Sequence, residues 1–371
     1  MIIKTKEFKE VAMAILLAVD DTASNLELVV KNESLRLNVT NKEYFVSKTF
    51  PLEVPEEFKA VVDGQLFLNL ISGITSEVFE LKTKDNTVQV KVGKSTYKLP
   101  MIYDKDELLT LAPIILSNVT VTMPISNDIL QSILNVNSKE LLKVKNIDVS
   151  ELQKQYYIDE TGCFTFTTGA CFNAFTLEKP VKLLLNDRIV KLFKLFKTDV
   201  SFFYGIDSLS DTTLQTKVVF TTPDTYLAAI INSNDVLLNK IQGPCAATKN
   251  FIKDTYSNHL VVSSTILNAA INRLMLFYKN SSTTKLTNIP ITITINPNEI
   301  IIADTLENKE VVEIDTSSYT EAGYTLTISL NDLKLVLDSC KGEHITVDCG
   351  NHRAVVITRG NISNLIPEYK R

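Results

Sequence analysis

The chain has 371 residues, of which 45% are hydrophobic and 22% charged, and its formal net charge is −5. It is too long for one ordinary hydrophobic core, so we expect about three domains of ~120 residues. No apolar run reaches the ~20 residues that a membrane-spanning helix needs, and Met1 leads directly into a predicted strand without a signal peptide. These features exclude a membrane partner and predict a cytoplasmic protein.

Hydrophobic periodicity predicts two helices in the first part of the chain, each with one strand before it and three strands after it. The predicted elements are strand 1–4, helix 5–19, strands 26–31, 34–40 and 43–50, then strand 59–63, helix 64–74 and strands 77–83, 87–92 and 95–99. A charged linker at residues 103–113 ends in a proline.

The same order of elements recurs twice. The middle part contains strand 119–123, helix 125–137, strands 156–159, 163–167 and 174–177, strand 181–185, helix 187–197 and strands 200–206, 214–221 and 225–231. A second linker, at about 232–257, includes Gly243-Pro244. The last part contains strand 259–263, helix 264–279, strands 290–295, 299–304 and 309–315, strand 324–329, helix 330–341 and strands 344–349, 353–358 and 362–366.

A repeat of this length is a whole domain rather than a solenoid unit. The predicted domains are residues 1–115, 116–247 and 248–371. Each contains two β-α-β-β-β units, and a helix on one face of antiparallel strands is an α+β arrangement. Three copies of one domain suggest a curved or closed assembly.

Positive charge is concentrated on the predicted helices. Helix 187–197 carries Arg188, Lys191, Lys194 and Lys197 at every third position without an intervening carboxylate. Like charges at this spacing repel one another, and a polyanion lying across them would relieve the repulsion; the alternative is a solvated lysine face. Further cations on a predicted helix, or directly before one in the case of Lys4, are Lys4, Lys6, Lys9, Arg273, Lys279, Lys334 and Lys341. Since most carboxylates fall in strands and loops, the pattern predicts one positive surface, suited to nucleic acid, on a negative body.

The sequence gives no constellation for catalysis or metal binding. His259, His344 and His352 lack metal-ligand spacing, and residues 348–353 are typical of a hairpin turn. There is no phosphate-binding loop or dinucleotide fingerprint. The odd number of cysteines, 163, 171, 245, 340 and 349, favours reduced and buried thiols. An enzyme is the weaker hypothesis, and no cofactor or metal is expected.

Several segments resemble the bacterial-type DNA polymerase sliding clamps, the β-clamp family, and the resemblance extends from end to end. They are residues 60–63, 67–74 and 94–100 near the start, and 259–279, 326–340 and 364–371 near the end. The resemblance implies a head-to-tail homodimeric ring of six domains, with helices lining the pore and antiparallel sheets outside. It implies a processivity factor that slides on double-stranded DNA, tethers the replicative DNA polymerase, is opened by an ATP-driven clamp loader, and needs no cofactor. The alternative is a non-DNA structural or scaffold protein of triplicated α+β domains.

The resemblance also implies two protein-binding sites. In the ring, Tyr97 and Leu99 would lie opposite Leu276 and Phe277 of the partner; the alternative is that Leu276 and Phe277 are intradomain core. A partner-peptide pocket would be lined by Thr168, Gly169, Cys171, Phe172, His352, Ala354, Asn364, Ile366, Pro367 and Tyr369. The alternative is that the apolar ending at residues 365–367 only completes the last sheet. Many family members have T-D-G-H-R-L where this chain has residues 168–173, and an M-P-M-R-like ending where it has residues 366–369. Such divergence would suit a clamp encoded by a bacteriophage and acting in the host cytoplasm.

Overall fold

Helices and antiparallel strands alternate along the chain in a computed structural model that describes residues 1–53, 56–136, 155–166, 169–210, 213–231, 235–279, 289–315, 318–319, 321, 323–340 and 344–369. The described residues form two compact units. The first comprises Met1–Gln131 and Arg188–Ser233, and the second comprises Ser132–Asp187 and Asn234–Arg371. The predicted α+β class with antiparallel sheets is confirmed, whereas the division into three domains stays a prediction.

In chain order the helices are α1 (Thr5–Leu16), α2 (Gly64–Gly73), α3 (Asn127–Leu134), α4 (Asp187–Lys191) with a 3₁₀ turn after it (Leu192–Leu195), α5 (Asp235–Lys253), α6 (Ser264–Lys279) and α7 (Leu330–Ser339). The first strands are β1 (Ile2–Lys4), β2 (Asn25–Lys31), β3 (Ser34–Thr40), β4 (Tyr44–Pro51), β5 (Phe58–Asp63), β6 (Val78–Lys84), β7 (Thr87–Val92), β8 (Ser95–Pro100), β9 (Tyr103–Asp104), β10 (Glu107–Leu108) and β11 (Val119–Ile125).

The remaining strands are β12 (Gln155–Asp159), β13 (Gly162–Phe166), β14 (Ala170–Ala174), β15 (Lys182–Asn186), β16 (Val200–Ser210), β17 (Thr213–Thr221), β18 (Thr225–Ile231), β19 (Asn258–Ser263), β20 (Pro290–Asn296), β21 (Glu299–Asp304), β22 (Lys309–Glu313), β23 (Tyr324–Ser329), β24 (His344–Cys349), β25 (Ala354–Arg359) and β26 (Ile362–Pro367).

Each unit contains one eight-stranded and one four-stranded sheet. In the first unit the strand orders are β11-β16-β17-β18-β4-β3-β2-β5 and β1-β6-β7-β8, with β9 and β10 as a separate hairpin. In the second unit they are β15-β12-β13-β14-β26-β25-β24-β19 and β22-β21-β20-β23. Strands that are distant in sequence, such as β14 and β26, therefore pair within one sheet.

Local sequence explains where several helices begin. The side chain of Asp63 accepts a hydrogen bond of 2.7 Å from the backbone N–H of Leu66, which caps α2. Ser329 caps α7 in the same way, accepting from the N–H of Asp332. Such caps satisfy an amide that has no partner inside the helix. Apolar faces then fix the packing: Phe8 of α1 meets Phe50 edge-on at 5.3 Å between ring centroids.

The structure corrects three sequence-based predictions. The linker expected at about 232–257 contains the 19-residue helix α5. The strand expected at 174–177 lies earlier, at Ala170–Ala174, and the linker at 103–113 contains the short hairpin β9–β10. In each case tertiary pairing or packing overrides the local signal. The clearest example is α5, which contains Gly243 and Pro244 although both are helix breakers.

Asp207 fastens a connecting segment to the eight-stranded sheet of the first unit. Its carboxylate accepts hydrogen bonds from the backbone N–H groups of Ser117 and Asn118 and from Lys217, whose Nζ lies 2.8 Å away. Lys217 also donates to the carbonyl of Ile115. The hydrogen bond from Lys217, together with those from the two amides, outweighs burial and lowers the pKa of Asp207 to about 2.

Acid is therefore expected to loosen this segment only at a pH well below the range in which carboxylates usually titrate. The folded pKa of Asp207 is below the unfolded value of about 3.9, so its contribution to stability is present above about pH 4 and is lost as the pH falls towards 2. Asp207→Asn should cost about 1–3 kcal/mol at neutral pH, because Lys217 and two amides lose a charged acceptor. Unfolding in urea between pH 2 and 7 measures both effects. Equal stability of the two proteins at pH 7 would contradict this assignment.

Candidate functional site

Most of the cations that the sequence assigns to DNA binding in the first unit lie on or directly beside two segments: α1, and α4 with its 3₁₀ turn. These two segments pack beside each other. Lys6, Lys194 and Lys197 are exposed and Lys9 is half-buried. Both helices are held by apolar faces that point into the unit, through Phe8, Ala12 and Ile15 on α1 and Ile189, Val190, Leu192, Phe193 and Leu195 on the other segment. The lysines consequently lie on the opposite, solvent-facing sides of these segments.

Arg188 differs from these lysines. Its guanidinium carbon lies 4.9 Å from the centroid of the Tyr44 ring, and the guanidinium forms an ion pair with Asp20. Burial lowers the pKa of Arg188 below its usual value. An arginine that stacks on an aromatic ring and pairs with a carboxylate contributes to packing, and less of its positive charge is available to bind phosphate. The structure thus separates Arg188 from the exposed Lys194 and Lys197, with which the sequence groups it.

In the second unit, the expected DNA-binding cations Arg273 and Lys334 are each paired with a carboxylate. Arg273 on α6 makes a bidentate ion pair with Glu310 of β22, with Nε 2.8 Å from Oε1. Lys334 pairs with Asp338 one turn later on α7. In the first unit Lys4 lies 3.6 Å from Glu7. The side chain of Lys279 and all of Lys341 lie outside the described residues.

The residues expected at a ring interface divide into three exposed side chains and one buried one. Tyr97 on β8 is 46% exposed, and Leu276 and Phe277 on α6 are 57% and 56% exposed. Leu99, only 2% exposed, belongs instead to the core of its own unit. Strand β8 is an edge of its four-stranded sheet, and a free edge beside an apolar side chain is a site for pairing with another chain. Leu276 and Phe277 are therefore not core residues of their own domain.

The residues expected at a peptide pocket meet where β14 pairs with β26, here called the β14–β26 seam. Phe172 lies opposite Ser363, and Cys171 lies opposite Asn364. A Cβ atom on Gly169 would collide with the carbonyl of Leu365, so the close approach of the two strands requires glycine there. Thr168 lies outside the described residues.

Strand alternation places the expected pocket residues on two opposite faces of this sheet. Ile366 packs in the core that contains α6 and α7, and Cys171 and Asn364 share its face, where all three are buried. Phe172 lies on the other face, which also carries the pair Ala354 and Pro367. The structure therefore places Phe172, Ala354 and Pro367 on one face of the sheet and Cys171, Asn364 and Ile366 on the other.

Two further expected residues contact elements other than β14 and β26. Tyr369 donates its backbone N–H to the carbonyl of Thr327, so the chain end continues from β26 towards β23. His352, in the turn before β25, pairs with Asp254 just after α5, and its ring meets Phe251 edge-on at 4.9 Å. The hydrogen bond between His352 and Asp254 lowers the pKa of the Asp254 carboxyl.

Helix α5 covers the Phe172 face, although the sequence predicts a linker there. Leu237, Ile241 and Cys245 are buried in one cluster with Phe164 and Phe172, whose rings stack at 4.4 Å. The signal was present in the sequence, because residues four apart lie on one helical face. The pair Gly243-Pro244 obscured it.

The described residues hold no group of three or more His, Cys, Asp or Glu side chains that could bind a metal ion. All five cysteines are free and buried. Among the described residues, no helix has the length and apolar character that would let it span a membrane.

Comparisons with known proteins agree on one fold. A beta sliding clamp of Helicobacter pylori (strain ATCC 700392 / 26695) is 34% identical over 86 residues, which are 23% of this chain and 23% of that clamp. The chain thus matches less than a quarter of the length of this curated relative. No protein-family model matches the chain.

Solved structures match over the full length. The DNA polymerase III subunit beta from Pseudomonas aeruginosa superposes with a TM-score of 0.77 at 12% identity and covers 100% of both chains. The Helicobacter pylori beta clamp bound to DNA ligase peptide superposes with a TM-score of 0.72 at 18% identity, covering 100% of this chain and 99% of that one. The chain therefore has the fold of the bacterial DNA polymerase III β sliding clamps.

Proposed function

We propose that the chain is a DNA polymerase processivity factor, a homodimeric ring that encircles duplex DNA and carries no enzymatic activity. The observation that supports this most directly is the group of lysines on neighbouring helices of the first unit, Lys6, Lys9, Lys194 and Lys197. They belong to a chain of net charge −5, so the positive charge is local rather than general. Three domains, 1–115, 116–247 and 248–371, would contribute to each half of the ring.

The mechanism follows from how these lysines bind phosphate. Contacts to phosphates carry no sequence information and attract every position along the duplex almost equally, so a ring held by them can slide. Retention comes from closure around the duplex, and modest attraction is enough. A polymerase bound to the ring stays near the primer end at a high effective concentration. A clamp loader would open the ring in the cytoplasm.

Partners would dock as short peptides at the β14–β26 seam. A Helicobacter pylori beta clamp of the same fold has been solved bound to a DNA ligase peptide. In this chain Phe172 supplies an apolar wall on the face of the sheet that also carries Ala354 and the exposed Pro367. The replicative polymerase and the loader would use this seam in turn.

Retention on circular DNA tests the proposal. After loading by a loader of the same source, the chain should stay on nicked circular plasmid through gel filtration at 150 mM salt and should leave after a restriction enzyme linearises the plasmid. A protein that binds the duplex electrostatically without enclosing it would be retained equally on both forms. Absence of retention on either form would favour the scaffold alternative.

A further inference from the structure

Helix α5 lies on the face of the β14–β26 seam that carries Phe172. Leu237, Ile241 and Cys245, spaced four residues apart, point into the sheet and are buried there. Their neighbours include Tyr157 and Phe164, which extend the apolar surface away from the seam. The chain thus shows what this surface accepts: a helical segment with apolar side chains at i, i+4 and i+8.

The two halves of α5 are held differently. The second half has polar anchors: Lys249 pairs with Asp159 at 3.1 Å and lies 5.2 Å from the Phe164 centroid, and Asp254, just beyond the helix, pairs with His352. The contacts that the structure gives for the first half are apolar ones, made by Leu237, Leu238 and Ile241.

Gly243 and Pro244 separate these halves. Proline has no N–H to donate to the preceding turn, and glycine loses more conformational entropy than other residues on entering a helix. Gln242, Gly243 and Pro244 are all exposed, so the junction gains nothing from burial. The first half can therefore be released while the second half stays attached.

We propose that the first half of α5 is a lid on the partner surface, and that partners bind by displacing it. This inference rests on the proposed docking of partners at the β14–β26 seam. The displacing partner is a segment with apolar side chains at helical spacing, which replaces Leu237 and Ile241 against Phe172. Binding then costs the contacts of the lid, so only partners with two well-placed apolar anchors open it.

Cys245 reports the position of the lid. It lies one helical turn after Ile241 on the same buried face, and burial raises the pKa of its thiol to about 12. When Ile241 leaves the surface, Cys245 loses its cover and reacts with a maleimide. Cys340 and Cys349 are buried in the core of the last domain and serve as reference thiols, because they become reactive only on wider unfolding. In the Cys245→Ala variant the labelling that comes from Cys245 is absent, which assigns it to that thiol.

Two variants of the full chain are expected to shift the lid in opposite directions, and a third is the control. Ile241→Ala removes a buried anchor and should speed labelling of Cys245 at least about tenfold relative to Cys340. Gly243→Ala should slow it several-fold, because a Cβ at Gly243 meets no atom within 4 Å and alanine favours the helix. Gln242→Ala, on the exposed face, is the matched control and should leave labelling unchanged.

Displacement itself is measured with a synthetic peptide of residues 235–242, the sequence of the first half of α5. It should accelerate labelling of Cys245, bind more tightly to the Ile241→Ala protein and more weakly to the Gly243→Ala protein. A peptide with Leu237→Ala and Ile241→Ala should do neither. If Cys245 and Cys340 react in parallel in all variants, or if the peptide binds all proteins equally, there is no lid. These readouts need no DNA, so a protein that fails on circular plasmid can still pass them.

Discussion

Replacing Lys6, Lys9, Lys194 and Lys197 with glutamate is expected to abolish stimulation of a polymerase on primed circular DNA. Each lysine that contacts phosphate contributes about 0.9 to the slope of log K against log salt concentration. Loss of four contacts per chain, or eight per homodimeric ring, should lower that slope by roughly 7. Arg188 is left in place because its pairing with Asp20 and Tyr44 makes it part of the packing.

The control carries the same change in net charge at a different place. Lys31, Lys42, Lys84 and Lys105 are exposed at the ends of strands or in turns of the first unit. Their replacement by glutamate should leave the salt slope nearly unchanged, although it makes the protein equally more negative. Both variants should unfold within about 0.5–1 kcal/mol of the parent, since exposed charges contribute little to stability. If both variants lose stimulation equally, the effect is one of net charge and the helices are not the DNA-binding surface.

The second large effect is expected on the dimer. Leu276→Glu with Phe277→Glu should convert the chain into a folded monomer, because two side chains that are more than half exposed in the single chain would be buried against the partner's β8. Burial of a leucine and a phenylalanine stabilises an interface by about 1.5–3 kcal/mol each, so the dimer should weaken by at least roughly 10²-fold. Sedimentation equilibrium over a concentration series measures the shift.

Ile266 and Leu306, 56% and 60% exposed in the same unit, provide the matched control. Glutamate at these two positions should leave both the dimer and the thermal midpoint unchanged. The Leu276→Glu, Phe277→Glu protein should also melt close to the parent monomer, which distinguishes a lost interface from a damaged core. A dimer mass that is the same in all three proteins would place the interface elsewhere.

Periodicity in the sequence was sufficient for most helices and strands. Helix α6 begins and ends at the predicted residues, 264 and 279, and α2 begins at Gly64 as predicted, because Asp63 caps it locally. These features depend on interactions within a few residues of each other. The α+β class followed from the order of such elements, which is why it could be read before any contact between them was known.

Helix α5 is the clearest case in which tertiary structure decided the outcome. Its local signal, Gly243-Pro244, indicates a linker, and an isolated helix with both residues inside would be unstable. Burial of Leu237, Ile241 and Cys245 against Phe164 and Phe172 compensates for that cost. Those aromatic partners lie about seventy residues earlier in the sequence, so periodicity within α5 could not disclose them.

The sequence by itself determined which residues could serve each site, and the tertiary structure decided which of them share a surface. Lysines spaced along a helix are visible in the sequence, but the pairing of Arg188 with Asp20 requires two separate segments to meet. Likewise, Phe172 and Cys171 are neighbours in the chain but face opposite sides of one sheet. The reason is that local order depends on near neighbours, whereas a site depends on strand register and packing between distant segments.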